Sequence, residues 1–311
     1  MSKDLKTFND NYKMDINEDT VELDGLSKKI GDEGLKLLCS IKFTKLEQLL
    51  LEENNIKNID VLSKNNFGKK LIALDLSSNK ISSINVLSQL ATPLLNHLFL
   101  NSNQISSIDV LAKVNFPVLK ELNLSSNKIA SIDIFAKVKF PELKDLDLSK
   151  NQISSIDNLI IDNFPKLEDL CLDQNKIKSI DILSTMDCSK LKKLKLEKNN
   201  LKSIDILEKI PFNKLNYLPI GDDTLGDKVD CLVKIKFGEL EDLYLYLNDS
   251  IDRETKKIDT IVNHFEEKGT NFNFISCDDD NGDDDLNLDN EEFGDKGNMG
   301  GLDSLLNSDV F

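Results

Sequence analysis

The sequence lacks any long apolar run. Nowhere in its 311 residues do about eighteen apolar residues follow one another, and the start, MSKDLKTFNDNYKMD, lacks the apolar core of a secretory signal. We therefore expect neither a membrane-spanning helix nor a membrane partner. A cytoplasmic location is expected, with the nucleus as the alternative. At 40% hydrophobic and 30% charged residues, the chain can still bury a core.

Histidine and cysteine are too few and too scattered for a metal site. The two histidines are His97 and His264, and no Cys-x-x-Cys pair occurs, so zinc would lack ligands. Five cysteines, an odd number, are expected to be reduced thiols rather than a disulfide framework. An EF-hand alignment on Gly282 puts Cys277 and Leu288 where Asp and Glu ligands are required. The sequence therefore predicts no metal and no cofactor.

Positive charge is scarce, and the deficit is concentrated at one end. The net charge is −16; residues 278–311, with twelve Asp or Glu and one Lys, account for −11 of it, which leaves −5 for residues 1–277. Nucleic-acid backbones are bound by Lys and Arg, so this balance argues against a nucleic-acid partner. Residues 278–311 are poor in aromatics and rich in Asp and Gly, and are predicted to form an acidic disordered tail.

The most informative feature that is present is a repeat. Degenerate copies of the block LxxLxLxxNxI begin at Leu215 and Leu240, and the step between successive clear copies after the first is 24 residues. In each copy, LxL alternates inward and outward, as a short strand with one buried face does. A coil of this size cannot bury its own apolar face, so the coils must stack. The clear copies begin at Leu46, Leu71, Leu95, Leu119, Leu143, Leu167 and Leu191.

This pattern resembles the leucine-rich repeat family, whose period is about 20 to 29 residues and whose signature is LxxLxLxxN. The IxxI spacing after the Asn is similar to that of the leucine-rich regulator of protein phosphatase 1 and of bacterial internalins. The N-terminal segment looks like a ribonuclease-inhibitor-type coil. The resemblance implies an α/β fold: a leucine-rich repeat solenoid, or arc, with a parallel β-sheet on its concave face and short helices on its convex face. It carries over no binding residue.

An Asn is predicted to lie where the chain of each repeat turns inward. Its side chain has both an acceptor and donors for backbone groups that the turn leaves free. The Asp after the second Ile, such as Asp109, is predicted to be the N-cap of a short outer helix. We expect one internal hydrogen-bonded column made of Asn54, Asn79, Asn103, Asn127, Asn151, Asn175 and Asn199.

Three regions are predicted along the chain. An N-terminal extension occupies residues 1–20, the solenoid 21–277, and the acidic tail 278–311. Within the solenoid, residues 21–45 form an N-terminal cap and residues 251–277 a C-terminal cap, because an open solenoid otherwise exposes an apolar cross-section at each end.

The two caps have their own sequence patterns. The N-terminal cap is predicted to hold a strand at Val21–Leu23 and a helix at about Asp32–Ile41. In the C-terminal cap, Phe272 and Phe274 alternate like a closing strand. One apolar helix face precedes it, at Ile258, Ile261, Val262 and Phe265.

The residues that flank the strand leucines are predicted to face the concave surface. They divide into an acidic centre (Glu121, Asp145, Asp147, Asp169 and Asp173), a basic band (Lys192, Lys193, Lys195 and Lys198) and an aromatic patch (Tyr217, Tyr244 and Tyr246). Aromatic side chains are enriched at binding hot spots, although Tyr244 and Tyr246 could instead cover the last coil and the lysines could be a solvated face. The candidate partner-binding residues are His97, Phe99, Asn101, Glu121, Asp145, Asp147, Asp169, Lys193, Lys195, Tyr217, Tyr244 and Tyr246.

The sequence has no common catalytic motif. It contains no Walker A loop, no dinucleotide-binding glycine motif after a strand, no HExxH, no GxSxG and no kinase set. Asp145 and Asp147 are expected on an exposed face with no apolar environment to raise one pKa. Cys171 and His97 fall three coils apart, roughly 15 Å by strand spacing, too far for a nucleophile and its base. We expect no enzymatic activity.

The size of the predicted surface favours a protein partner. Nine strands about 4.8 Å apart give an arc of roughly 40 Å, comparable with a standard interface. The first hypothesis is a non-enzymatic scaffold or regulatory subunit that binds a protein on its concave face, as a monomer or within a hetero-complex. The second is an acidic-tailed chaperone or inhibitor of basic proteins such as histones, since the layout resembles acidic leucine-rich nuclear phosphoproteins. The third is a structural component of a larger complex.

Overall fold

The fold is built on one open β-sheet of eleven parallel strands in chain order. The computed structural model describes residues 2–221, 229–247 and 256–276. Each strand pairs in parallel with the next, so the chain winds in one direction, and the predicted solenoid with its parallel sheet is confirmed. The strands are β1 Glu22–Asp24, β2 Gln48–Leu50, β3 Ala73–Asp75, β4 His97–Phe99, β5 Glu121–Asn123, β6 Asp145–Asp147, β7 Asp169–Cys171, β8 Lys193–Lys195, β9 Tyr217–Gly221, β10 Asp242–Leu247 and β11 Asn271–Ser276.

Short helices form the layer opposite the sheet and the two ends. The α-helices are α1 Lys3–Tyr12, α2 Gly31–Ser40 and α3 Lys256–Glu266. None of the helices in the described stretches combines the length and the hydrophobicity that crossing a bilayer requires. The 3-10 helices are Asp60–Lys64, Gly68–Lys70, Asn85–Gln89, Asp109–Lys113, Asp133–Ala136, Ile161–Asn163, Asp181–Thr185, Asp205–Lys209 and Asp230–Lys234.

The predicted role of the aspartates as helix N-caps is wrong. The first hydrogen bond of one 3-10 helix runs from the Leu111 N–H to the Ile108 carbonyl, so Ile108 is the N-cap and Asp109 is already the first helical residue. The Asp109 N–H instead donates to Ser107 Oγ at 3.3 Å. The serine two residues upstream therefore accepts from the first N–H of the helix, and no side chain accepts the N–H groups that an Asp109 N-cap would have bonded.

The asparagine side chains tie each coil to the one before it. Asn127 Nδ2 donates within its own coil to the carbonyl of Leu124, at 3.1 Å, and to that of Ser125, at 3.0 Å. It also reaches the Leu100 carbonyl of the preceding coil at 2.9 Å, and its Oδ1 accepts from the Ile105 N–H at 2.9 Å. Asn79, Asn103, Asn151, Asn175 and Asn199 repeat this pattern.

A left-handed residue stands immediately before each asparagine of the column. Ser126 has a φ of 53° and Lys150 a φ of 52°. A non-glycine residue in this region costs on the order of 1 kcal/mol or more, so the turn persists only where surrounding bonds hold it. Equivalent angles occur at Glu53, Ser78, Ser102, Gln174 and Lys198.

The core lies between the sheet and the 3-10 helices. In every coil the inward leucines and isoleucines are buried, and phenylalanines pack along the convex side. The rings of Phe140 and Phe164 have centroids 6.3 Å apart, and those of Phe212 and Phe237 are 6.0 Å apart. This core is therefore continuous from coil to coil, as expected for units that cannot bury their apolar faces alone.

The N-terminal end is covered by two helices. The predicted helix of the N-terminal cap is α2, and it packs against α1, whose Leu5 and Phe8 are fully buried. Tyr12 Oη also donates to the Ile30 carbonyl at 3.2 Å. Residues 1–20 had been assigned no structure from the sequence, whereas α1 in this stretch contributes the buried side chains of Leu5 and Phe8 to the core.

The C-terminal end is covered by α3 and β11, as the apolar helix face and the closing strand predict. Ile258, Ile261 and Phe265 of α3 are buried. Residues 222–228, 248–255 and 277–311 lie outside the described residues. They include Asp223 and Asn248 at the asparagine positions of the degenerate repeats, Cys277 and the acidic tail, so the domain boundaries and the tail's disorder stay predictions.

Replacing Asn127 with alanine is expected to destabilise the fold. The Ile105 N–H would then be buried without a partner, and the Leu100 carbonyl would keep only its bond from Asn103 Nδ2 at 3.1 Å, at a cost of about 1–3 kcal/mol. Urea unfolding should report this loss as a lower midpoint. Asn85→Ala is the matched control because Asn85 is exposed, and its effect should stay within about 0.5 kcal/mol. Equal midpoints for both variants would contradict the structural role of the column.

Candidate functional site on the concave face

Strand register arranges the candidate residues in columns across the sheet. Phe99, two residues beyond His97, aligns with Asn123, which aligns with Asp147. A third column, two residues further on, includes Asn101 and Asp173. The structure therefore brings the candidate residues onto one face, in the order in which they occur along the chain. The first column runs through His97, Glu121, Asp145, Asp169, Lys193, Tyr217 and Asp242.

The N-terminal part of the face is a histidine beside a carboxylate. His97 Nδ1 lies 2.9 Å from Glu121 Oε2, and both side chains are mostly buried. The His97 ring also stacks on Phe99 with centroids 6.3 Å apart. Phe99 was predicted to be exposed, and this is wrong: only 4% of it is accessible. Side chains on strands about 4.8 Å apart cover one another, which shields the flat ring.

The acidic centre lies on β5 to β7 and the turn after β7. Asp145 pairs with Glu121 on one side and with Asp169 on the other. Burial, followed by the charges of Glu121, Asp169 and Asp147, raises the pKa of Asp145 well above its ordinary value, and Lys193 opposes this only in part. The prediction that nothing on this face would raise a carboxyl pKa is therefore wrong, because the curved sheet encloses side chains that alternate outward.

One carboxyl group of the acidic centre and one in the following coil are almost fully buried. Asp173 is 6% exposed and Glu197 is 8% exposed. Asp173 Oδ1 and Glu197 Oε2 each lack a hydrogen-bond partner. Burial, then the charge of Asp147, raises the pKa of Asp173 to about 6. Burial, then the charge of Asp173, raises the pKa of Glu197 well above its ordinary value.

Glu197 was missed as a site residue, although the sequence holds a signal for it. Other coils carry serine at this position, as at Ser77 and Ser125. The Ser125 hydroxyl donates to Asn123 Oδ1 at 2.7 Å, which satisfies both side chains. Asp173 and Glu197 replace that serine in two successive coils. An acidic side chain at a position where other coils carry serine is the signal in the sequence that points to Glu197.

Lysines and tyrosines lie next to each other at the C-terminal side. Lys193 Nζ is 5.2 Å from the centroid of the Tyr217 ring, and Lys195 Nζ is 5.9 Å from it. The rings of Tyr217 and Tyr244 have centroids 5.4 Å apart. Attraction between a cation and a ring face is worth about 0.5–1 kcal/mol at exposed sites. The basic band and the aromatic patch therefore form one continuous surface.

One member of these groups, Tyr246, differs from expectation. Tyr246 was predicted to be exposed, but only 7% of it is accessible. It lies in the third column, where the side chains of the adjoining strands cover it, and Lys198 Nζ is 5.9 Å from the centroid of its ring. Burial, then the charge of Glu197, raises the pKa of its hydroxyl. Lys192 is exposed and donates to Glu168 Oε2 at 2.6 Å.

The cysteines of the described residues are free and buried. Burial, then the charges of Asp147 and Asp145, raises the pKa of the Cys171 thiol well above its ordinary value. A thiol in that state is a poor nucleophile. Cys171 on β7 is also three strands from His97 on β4, roughly 14 Å by strand spacing.

The described residues contain no group of three His, Cys, Asp or Glu side chains placed to hold a metal ion. Two cavities lie away from the strands. One, of about 450 Å³, is lined by residues that include Phe43, Phe67 and Gly68, and the other, of about 840 Å³, by residues that include Asp32 and Lys64. The candidate residues therefore face an open surface rather than either of these cavities.

Comparison with known proteins identifies the repeats. A family model described as leucine rich repeat matches three overlapping stretches, residues 93–153, 117–177 and 141–201. The chain carries leucine-rich repeats. These windows include strands β4 to β8 and contain the whole acidic centre and the whole basic band.

Solved structures share the fold of the leucine-rich repeat chain. An internalin, inlF, from Listeria monocytogenes matches 78% of this chain and 64% of its own at 23% identity and a TM-score of 0.55. A TDR receptor matches 83% of this chain and 43% of its own at 14% identity and a TM-score of 0.51. The match spans less than two thirds of either structure, and identities this low show the fold alone. No curated protein matches the sequence.

Removing the two buried charges is expected to stabilise the protein at neutral and higher pH. The folded-state pKa of Asp173 and of Glu197 lies above the unfolded value, so the folded protein binds more protons and loses stability as the pH rises. For Asp173 this loss runs from about pH 4 through about 6, and for Glu197 it continues until the pH passes its raised folded-state pKa. Asp173→Asn with Glu197→Gln removes this loss. Urea unfolding should show a gain that grows from pH 5 to pH 8 and reaches on the order of 1–3 kcal/mol.

The matched control for this pH prediction is Asp162→Asn with Glu239→Gln, which neutralises two exposed carboxylates of the same types. It should change stability by less than about 0.5 kcal/mol at either pH. A gain for the buried pair that is the same at pH 5 and pH 8 would show that the effect is not linked to ionisation.

Proposed function

We propose that this leucine-rich repeat protein is a non-enzymatic scaffold or regulatory subunit that binds a protein partner on its concave face. The observation that carries the proposal is the continuous surface of the eleven-stranded sheet. Ten spacings of about 4.8 Å give an arc of roughly 48 Å, which is long enough for a standard protein interface. The leucine-rich repeat fold is commonly used for protein–protein interaction.

The chemistry along the arc supports a macromolecular partner. Acidic, basic and aromatic groups follow one another from β5 to β10, so a partner would meet different chemistry at each step. A small substrate would instead need a concave pocket with a few converging polar groups. The raised pKa of Asp145 arises first from burial and then from the like charges of Glu121 and Asp169 on the neighbouring strands. The thiol nearest to it, that of Cys171, has a pKa raised well above its ordinary value, which makes it a poor nucleophile.

Tyr217 and Tyr244 are the strongest hot-spot candidates. Both are partly exposed, their rings contact each other, and Lys193 lies over one of them. Tyrosine combines a large apolar face with a hydrogen-bonding hydroxyl, and interface energy concentrates on such residues. Tyr246 is too buried to offer the same contact area.

The test is capture of partners by the full chain. Tyr217→Ala with Tyr244→Ala should lower the amount of the main captured protein at least ten-fold, since truncating a hot-spot residue costs about 2 kcal/mol or more. Leu94→Ala with Ile160→Ala is the matched control because these side chains are exposed away from the concave face. Mass spectrometry of the three samples gives the comparison. Equal losses in both variants, or none in the tyrosine variant, would contradict the proposal.

The charge of the tail favours a second candidate function, binding of basic proteins by residues 278–311. That segment carries −11 of the net charge of −16. Exposed charges are screened over about 10 Å at 0.1 M salt, so such binding should weaken steeply with salt. Deleting residues 278–311 should abolish binding of histones at low salt. Histone affinity that survives the deletion unchanged would exclude the tail as the binding element.

A further inference from the structure

The acidic centre places like charges side by side, although the strand pairing does not require charged side chains at these positions. Asp145 pairs across the sheet with both Glu121 and Asp169, and like charges directly opposite one another destabilise a sheet. The coil before β6 has Asn123 at the position where β6 has Asp147, and it forms the same strand pairs. Packing and hydrogen bonding of the coils are therefore compatible with neutral side chains at these positions.

Two buried carboxyl groups, those of Asp173 and Glu197, each have one oxygen without a donor. Asp173 Oδ1 and Glu197 Oε2 have no hydrogen-bond partner, although both side chains are more than nine-tenths buried. Asp173 belongs to the acidic centre, and among the neighbouring charges that of Asp147 has the largest effect on its pKa. Burying an acceptor without a donor costs about 1–3 kcal/mol. A donor that arrives from outside the chain would recover this cost.

The lysines that border the centre are turned toward aromatic rings. The ammonium groups of Lys193, Lys195 and Lys198 each lie within 6 Å of the centroid of a tyrosine ring. Positive charge on the face is therefore concentrated at β8 and beyond, and negative charge at β5 to β7. An incoming cation is attracted to one half of the face and repelled by the other.

We propose that the acidic centre is the binding site for an arginine side chain of the protein partner. This inference rests on the proposed function, because it assumes that the partner occupies the concave face. A guanidinium presents five N–H donors in a planar fork, which suits several carboxylate oxygens on neighbouring strands better than the point charge of an ammonium. The arginine fixes the register of the partner along the arc, with its cation over β6 and β7.

The probe is a fluorescein-labelled peptide, Gly-Arg-Gly-Arg-Gly, with a citrulline version as the uncharged isostere. Binding to the full chain is followed by fluorescence anisotropy at 0.15 M salt. The arginine peptide should bind at least ten-fold more tightly than the citrulline peptide. The triple variant Asp145→Asn, Asp147→Asn, Asp173→Asn should lose at least ten-fold in affinity for the arginine peptide.

The matched control triple is Asp109→Asn, Asp133→Asn, Asp157→Asn, which removes the same charge from exposed convex positions and leaves the tail intact. It should keep its affinity within two-fold. Equal losses in both triples would assign the binding to overall charge, and no loss in the concave triple would assign it to the tail; either result overturns the proposal. Urea unfolding of both triples confirms that they remain folded.

A second measurement separates this inference from the proposed function. The concave triple is used to capture the partner whose binding depends on Tyr217 and Tyr244. Retention of that partner at the wild-type level overturns the arginine site and leaves the concave interface standing. If no captured protein depends on the two tyrosines, the proposed function fails first.

Discussion

The structure depends on one interaction, the hydrogen bonding of each column asparagine across two coils. Asn127 serves four backbone groups, and two of these, on Leu100 and Ile105, belong to the coil before its own. The same bonds hold a left-handed turn at Ser126 that an isolated chain would avoid. Sheet, turn and core therefore form together, because a coil without a neighbour can neither complete these bonds nor cover its apolar face.

The electrostatics of the concave face follow from this stacking. Coils held about 4.8 Å apart place equivalent residues side by side, so a single acidic substitution has little effect, whereas three in succession crowd one another. Asp145 shows the result, since neighbouring carboxylates add to burial in raising its pKa. Neutral side chains at these positions are therefore expected to give a more stable fold. Groups whose pKa is shifted by burial and neighbouring charges cluster at functional sites.

The sequence was sufficient for the solenoid and insufficient for the burial of single side chains. Leucine alternation and a fixed period determine strands such as Glu121–Asn123, because both patterns are local. The exposure of Phe99 depends on the ring of His97 beside it. The exposure of Tyr246 depends on the side chains of the adjoining strand. Helix α1 was not predicted because its buried residues, Leu5 and Phe8, belong to no repeat. They pack against a helix about thirty residues further along the chain.

Strict chain order gives the molecule a modular length. Each inner strand pairs only with the strands before and after it in the sequence, and the period of the clear repeats is 24 residues. Gain or loss of one complete period by recombination would leave all other pairings intact and change the arc by about 4.8 Å. A gain or loss of any other number of residues would misalign the asparagine column. Variation in this architecture is therefore quantised: whole coils can be copied or deleted, while fractions of a coil cannot.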